Sequence, residues 1–316
     1  MSRIVQQRSE AELLVDRTRG CVSPLFHSGS SLSIHWFPGH MATARREIRK
    51  AMPGVDLVIE VLDARIPFSS ENPLVAELRG ERPCIQILNK SDLADPRVTA
   101  EWLACIAAIP GKRAFSHHMH QSNLLQTVAA LARGLVPPVR NRPMMAMILG
   151  IPNVGKSTII NALAGRSIAK TANKPAVTQM QQRVKVGTDL VLLDTPGFLW
   201  PRLTPEACGY RLAVTGAISD RVVDYPDLAI FAARFLSKRY PIALATLYGL
   251  DALPADETAL IEAIGRRRGF LGKGGVVDLQ RASERLIRDL RDGSLGPISL
   301  ETPRDCGRGG ALTPST

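Results

Sequence analysis

The sequence predicts an α/β protein: a mainly parallel sheet flanked by helices, followed by a smaller all-α region. Three observations predict it. Short apolar runs alternate with helical stretches through the first two-thirds of the chain, one apolar strand runs directly into a glycine loop and a helix, and beyond about residue 200 the strand signal gives way to helical periodicity. A length of 316 residues leaves room for about two compact domains. Residues 1–33 form an extension expected to be flexible, 34–203 the α/β domain, 204–301 the helical domain and 302–316 a disordered tail.

The elements follow in order. Helical stretches are expected over 41–50, 74–78, 99–108 and 124–133, and buried strands over 57–62 and 84–88, whose apolar runs end in polar loop residues. Pro137, Pro138 and Pro143 make 134–143 a stiff connector. A third strand over 144–149 leads into a glycine loop and a helix from about Ser157 to Gly165. Residues 183–186 and 190–193, joined through Gly187-Thr188-Asp189, read as a β-hairpin. The clearest C-terminal helix covers 277–292. Leu279, Ala282, Leu286, Ile287 and Leu290 give it an apolar stripe, and Gly293 suits its end.

Charge and cysteine usage narrow the partners. Forty Lys and Arg against 29 Asp and Glu leave a net +11, which favours a polyanion such as nucleic acid. The five cysteines, Cys21, Cys84, Cys105, Cys208 and Cys306, are scattered and odd in number, fitting neither a disulfide framework nor a zinc knuckle. His117, His118 and His120 stand close together without a nearby cysteine, and no metal is assigned to them. No stretch approaches the ~18 apolar residues of a membrane span. The first 33 residues mix Arg3, Arg8, Arg17 and Arg19 with Glu10, Glu12 and Asp16, which runs against a secretory or mitochondrial leader, so a cytoplasmic protein is expected rather than one of the mitochondrial matrix.

Gly150-Ile151-Pro152-Asn153-Val154-Gly155-Lys156-Ser157 matches G-x-x-x-x-G-K-[ST] between a strand and a helix, the context a phosphate loop requires. Glycines let backbone N–H groups converge on phosphate oxygens at a positive helix end. Asn153, Val154, Gly155, Lys156, Ser157 and Thr158 therefore become candidate nucleotide-binding residues, with Lys156 on the β/γ-phosphates and Ser157 on Mg²⁺. Asp194-Thr195-Pro196-Gly197 stands at the end of the next apolar strand, where Asp194 can hold Mg²⁺ through water and the Gly197 N–H can meet the γ-phosphate. In Asn89-Lys90-Ser91-Asp92, the Asp92 carboxylate can accept both N1–H and the N2 amino group of guanine, an edge adenine lacks, while Lys90 packs its stem over the base. The nucleotide is then GTP or GDP. The guanine-reading motif precedes the phosphate loop instead of following it, so the order is that of a circularly permuted P-loop GTPase domain, with 134–143 bridging the original ends.

With these motifs in place the chain closely resembles the circularly permuted ribosome-biogenesis GTPases of the ribosome biogenesis GTPase A type. The likeness runs from Ile34 to about Glu301 through Trp36-Phe37-Pro38-Gly39-His40-Met41, Asp63-Ala64-Arg65-Ile66-Pro67, the three motifs above and Ile264-Gly265-Arg266-Arg267-Arg268-Gly269. The resemblance implies GTP hydrolysis coupled to a late step of large ribosomal subunit assembly. It also implies contact with ribosomal RNA through the C-terminal helices and a chain that is monomeric off the ribosome. Thr178 becomes the Mg²⁺-sensing residue of switch I, although Ala176 stands where the family usually has Gly. Ser116, after Ala114-Phe115, falls where a base-edge loop is expected.

The residue after Gly197 is Phe198, without the water-orienting Gln of Ras-like enzymes. His40, in a glycine-containing turn, matches the family's candidate catalytic His, alongside Lys156; a structural role for the lone imidazole is the alternative. Asn153 can help bind K⁺ beside the phosphates or simply stabilise its loop. Arg266, Arg267, Arg268, Lys273, Arg281, Arg285 and Arg288 form the candidate RNA surface; alternatively the helix carries a solvated face with Asp278, Glu284 and Asp289 as ion-pair partners. An RNA-binding scaffold that uses GTP only as a ligand is the competing functional class.

Overall fold

The computed structural model describes residues 39–137, 142–166, 182–201 and 203–308. Its sheet has the strand order β3-β2-β1-β4-β6-β5, from β1 (Leu57–Asp63), β2 (Cys84–Asn89), β3 (Lys112–Ser116), β4 (Met144–Gly150), β5 (Gln182–Val186) and β6 (Leu190–Asp194). All neighbours pair in parallel except the edge hairpin β5–β6. β1, β2 and β6 are buried along their whole length, as parallel strands covered on both faces must be. The flanking helices are α1 (Gly39–Ala51), the short α2 (Pro67–Ser70), α3 (Pro73–Arg79), α4 (Pro96–Ala107), α5 (Leu124–Leu135) and α6 (Lys156–Ala164). Asn72 and Asp95 cap α3 and α4 by accepting from backbone N–H groups of the first turn.

Strand β3 is the strand of the sheet that hydrophobic patterning does not reveal. Ser116, expected in a loop, is its last residue and pairs with Leu88 of β2. His40 lies in the first turn of α1, not in a loop.

Beyond Leu203 come α7 (Glu206–Val214), α8 (Tyr225–Arg239), α9 (Pro241–Tyr248), α10 (Glu257–Arg267) and α11 (Leu279–Asp292). Helix α11 begins at 279 because the Asp278 side chain accepts from the Arg281 N–H at 3.1 Å, leaving Val277 before the helix. Leu279 is exposed in this first turn instead of joining the buried stripe of Ala282, Leu286, Ile287 and Leu290. Gly293, at φ 83°, ends the helix in the left-handed conformation.

The expected disordered tail is corrected over 302–308. After α11 the chain returns to the sheet: the Ile298 and Leu300 N–H groups donate to the carbonyls of Leu93 and Arg65, both at 2.8 Å. Glu301 accepts from the Ser69 N–H at 2.9 Å and lies 3.2 Å from Arg211. Arg308 then reaches the buried Glu71 carboxylate at 2.7 Å. Charges satisfied this deep in the fold order a segment whose composition reads as loop. Residues 309–316 lie outside the described residues.

Candidate functional site

The parallel strands β1, β2, β3, β4 and β6 end on one edge of the sheet, at Asp63, Asn89, Ser116, Gly150 and Asp194. Three motifs far apart in sequence therefore meet there, in the crevice where open α/β sheets bind ligands.

At the phosphate end, the loop from Gly150 to Gly155 leads into the first turn of α6, where Lys156 is buried and Ser157 and Thr158 are half-buried. A Cβ on Gly150 would lie 2.6 Å from the Val61 carbonyl oxygen, and one on Gly155 would overlap the Asn89 amide. Asn153 takes a positive φ of 55°, a conformation Asn tolerates better than most residues. Lys156 Nζ donates to the carbonyls of Gly150 at 3.1 Å and Ile151 at 2.8 Å, turned back onto its own loop. Burial lowers its pKa to about 8 against the opposing field of Asp194. Burial likewise raises the Asp194 carboxyl to about 6, with Lys156 and the Thr195 N–H pulling it down. Asp194 Oδ1 is buried without a hydrogen-bond partner among the described residues, as a group held ready for a cation would be.

Gly197 rests on this loop: a Cβ there would come within 2.7 Å of Lys156 Nζ and 2.9 Å of Pro152 Cα. Only glycine fits. Thr178, the expected switch I residue, lies outside the described residues.

At the base end, Asn89 Nδ2 donates to the Val154 carbonyl at 2.8 Å and ties the guanine-reading motif to the phosphate loop. Lys90, in the left-handed region at φ 58°, places Nζ 3.2 Å from Asp63 Oδ2. Burial lowers the Lys90 pKa, while Asp63 opposes that fall. Asp63 is itself gripped by Arg65, whose Nε and terminal nitrogen donate to its two oxygens at 2.9 and 2.8 Å. Burial disfavours the Asp63 charge, yet Arg65 and Lys90 together hold its carboxyl well below the usual range. Asp92 is exposed in the turn Ser91–Leu93. The adjoining loops are bound together, His117 N–H donating to the Leu88 carbonyl at 2.9 Å and Ser91 N–H to the His117 carbonyl at 3.1 Å; this sets Ser116 beside the base-reading turn.

Asp63 and Arg65 stand in the family motif Asp63-Ala64-Arg65-Ile66-Pro67, to which the sequence alone assigns no task. The signal was an acid and a base two residues apart at the end of an apolar strand. Their pairing with Lys90 depends on parallel strand neighbours, which spacing along the chain does not reveal.

The seven candidate RNA-surface side chains of the helical region fall into three sets. Arg285 makes a two-point contact with Asp289, at 2.6 and 2.9 Å, and the buried carboxylate also accepts from the Tyr248 hydroxyl at 2.9 Å. Arg268 reaches toward the same carboxylate at 4.0 Å with its guanidinium over the Tyr248 ring. These two are engaged inward. Arg281 stacks over Phe270 at 4.8 Å, Arg266 pairs with Glu262 at 3.0 Å, and Arg267 lies 3.7 Å from Asp251. Lys273 and Arg288 are exposed and make no ion pair among the described residues.

A parallel sheet whose strand ends gather a phosphate loop, a carboxylate-glycine switch and a guanine-reading motif in permuted order defines a circularly permuted P-loop GTPase. Residues 145–233 match the family described as 50S ribosome-binding GTPase. Ribosome biogenesis GTPase A of Bacillus cereus is 44% identical over 283 residues, covering 87% of this chain and 95% of that protein. The GDP-bound structure of YlqF from T. maritima is 28% identical with a TM-score of 0.60, covering 82% of this chain and 100% of that one. The GNP-bound form gives the same identity and TM-score over 83% and 99%. The chain belongs to the ribosome biogenesis GTPase A family, and it is a GTP hydrolase.

Proposed function

We propose that this GTPase promotes a late step of large ribosomal subunit assembly, with the exposed cations of its helical region on ribosomal RNA and GTP hydrolysis marking the step. The observation that carries the reading is structural continuity between site and surface: Asn153 of the phosphate loop donates to the Gly216 carbonyl at 2.8 Å, at the start of the region that bears Lys273, Arg281 and Arg288. The relatives' names, which join ribosome biogenesis to GTPase activity, support it.

Asp92, Lys90 and Asn89 would read guanine beside Ser116, and the N–H groups of residues 153–158 with the Lys156 ammonium would hold the phosphates. Asp194 fits Mg²⁺ by offering an oxygen without a hydrogen-bond partner among the described residues, with Ser157 at the start of α6 and Thr178 the other ligands expected. The ion would neutralise charge on the β- and γ-phosphates. A K⁺ at Asn153 would rest on the side-chain oxygen, the amide's acceptor atom, with the amide oriented by Nδ2 donation to the Gly216 carbonyl. His40 acts on the attacking water when the ribosomal partner brings α1 to the site, because Phe198 has no polar group for that work. The protein works as a monomer in the cytoplasm until it meets its precursor subunit.

Cosedimentation with mature and precursor large subunits in GTP, GDP and a non-hydrolysable analogue, with turnover measured alongside, tests the reading. Nucleotide-dependent binding with subunit-stimulated turnover is expected. Binding without stimulated turnover would favour the scaffold that uses GTP as a ligand.

A further inference from the structure

Asn72 belongs to no nucleotide-binding motif, yet it is fully buried and both ends of its amide are used. Oδ1 accepts from the Leu74 N–H at 3.0 Å and caps α3, while Nδ2 donates to the Phe198 carbonyl at 3.0 Å. Phe198 immediately follows Gly197. On the other side of Gly197, the Thr195 hydroxyl donates to the Ile148 carbonyl of β4 at 2.6 Å. The switch glycine is thus bracketed by two side-chain hydrogen bonds, one to the phosphate-loop strand and one from the loop after β1.

That loop is itself held rigidly. The Asn72 N–H points at Glu60 Oε1 at 3.3 Å, and the neighbouring Glu71 carboxylate receives Lys112 at 2.9 Å, Gln86 at 3.0 Å and Arg308 at 2.7 Å. A donor on so fixed a base determines where the Phe198 carbonyl sits. We infer that Asn72 is a positioning residue for hydrolysis: it aims the Gly197 N–H at the γ-phosphate by pinning the next residue, and so contributes to telling GTP from GDP. This rests on the reading of Gly197 as the γ-phosphate donor.

The two uses of the amide can be separated. Asn72→Ser keeps a good helix cap but is too short to reach Phe198. Asn72→Asp keeps the cap and places a carboxylate oxygen against the Phe198 carbonyl, a stronger disturbance of the same contact. The measurements are the Kd for GDP and for a non-hydrolysable GTP analogue, single-turnover hydrolysis and thermal stability of the full chain. For Asn72→Ser we expect an unchanged Kd for GDP, with analogue affinity and hydrolysis rate each down about tenfold, the size of one lost buried hydrogen bond. Asn72→Asp should lose more of both. Equal losses for GDP and analogue, or an unchanged affinity ratio and rate in a folded variant, would overturn the inference. Gly197→Ala, measured in parallel, tests the underlying reading: if it leaves the ratio unchanged, the γ-phosphate role of Gly197 fails and the inference falls with it. A shifted ratio in Gly197→Ala beside an unshifted one in both Asn72 variants removes Asn72 alone.

Discussion

Because burial holds Lys156 at about 8 in the nucleotide-free protein, phosphate binding is coupled to proton uptake within an accessible pH range. On the proposed reading the protonated ammonium is the form that would meet the β- and γ-phosphates, whose charge would restore an ordinary lysine pKa in the complex. Affinity conferred by this contact is therefore fully present below about pH 8 and is lost as pH rises through it. With a free-state value of about 8, the ammonium fraction falls from about nine-tenths at pH 7 to about one-tenth at pH 9, so GDP affinity should drop roughly tenfold over that range. Calorimetric titration in two buffers of different ionisation enthalpy reads the linkage directly. Uptake should approach about one proton per GDP at pH 9 and be near zero at pH 7. The Lys156→Met variant, weakened throughout, supplies the dependence that belongs to guanine itself. Equal affinities at pH 7 and 9 with no proton uptake beyond that variant's would refute the argument and place a charged Lys156 in the free protein across the range.

Asp92→Asn should weaken GTP binding and favour xanthosine triphosphate, whose 2-oxo group accepts from the new amide; competition binding with both nucleotides checks this, and an unchanged preference for GTP removes Asp92 from the site. Replacing Lys273, Arg281 and Arg288 together by Ala should weaken subunit binding and flatten its salt dependence with little effect on thermal stability, since the slope counts phosphate contacts. Arg285→Ala should instead lower thermal stability, because it deprives the buried Asp289 carboxylate of its closest cation; denaturation curves separate the two variants, and a stable Arg285→Ala would contradict that assignment. His40→Ala should keep GTP affinity and subunit binding but lose most subunit-stimulated turnover, by about 10²–10⁴-fold, in a multiple-turnover assay. Full stimulation in that variant would exclude His40 as the group acting on water.

The phosphate loop, the carboxylate-glycine switch and the guanine-reading motif were legible because each is local. A few residues at fixed spacing declare the chemistry, and apolar runs beside them declare the strands. What escaped depends on partners distant in sequence. Strand β3 reads Lys112-Arg113-Ala114-Phe115-Ser116, too polar to suggest a strand until Lys112 is seen neutralised by Glu71 in the interior. Arg308 ties residues 302–308 to the fold through a carboxylate 237 residues earlier. Arg285 and Asp289 stand four apart, so a helix ion pair was visible. The burial of Asp289 was not, and a buried carboxylate is what ties the part-exposed Arg285 to the fold.

The sequence suggests a boundary near residues 201–205, but the packing carries straight across it. Arg65, which grips Asp63 and through it orients Lys90, also brings its guanidinium to 3.5 Å from the Leu290 and Arg291 carbonyls, at the negative end of α11. From that same end, Arg291 donates to the Val214 carbonyl at 2.9 Å and the Ala213 carbonyl at 2.8 Å, beside the Gly216 that Asn153 contacts from the phosphate loop. The base end and the phosphate end of the nucleotide site therefore both lead to the last turn of one helix, whose opposite end carries Arg281 and begins at the exposed Lys273 loop. Buried charges are expensive to separate from their partners, so these contacts hold α11 in place more firmly than the short link at 201–205 could. Circular permutation strengthens the arrangement, because β6 delivers Asp194 to the site and the chain then passes through Gly197 directly into α7. Among the described residues, the region that carries the basic surface is thus fastened to the crevice at the switch by the chain itself, at the phosphate loop by Asn153, and at the base-reading end by Arg65 and by the Ile298 N–H on the Leu93 carbonyl.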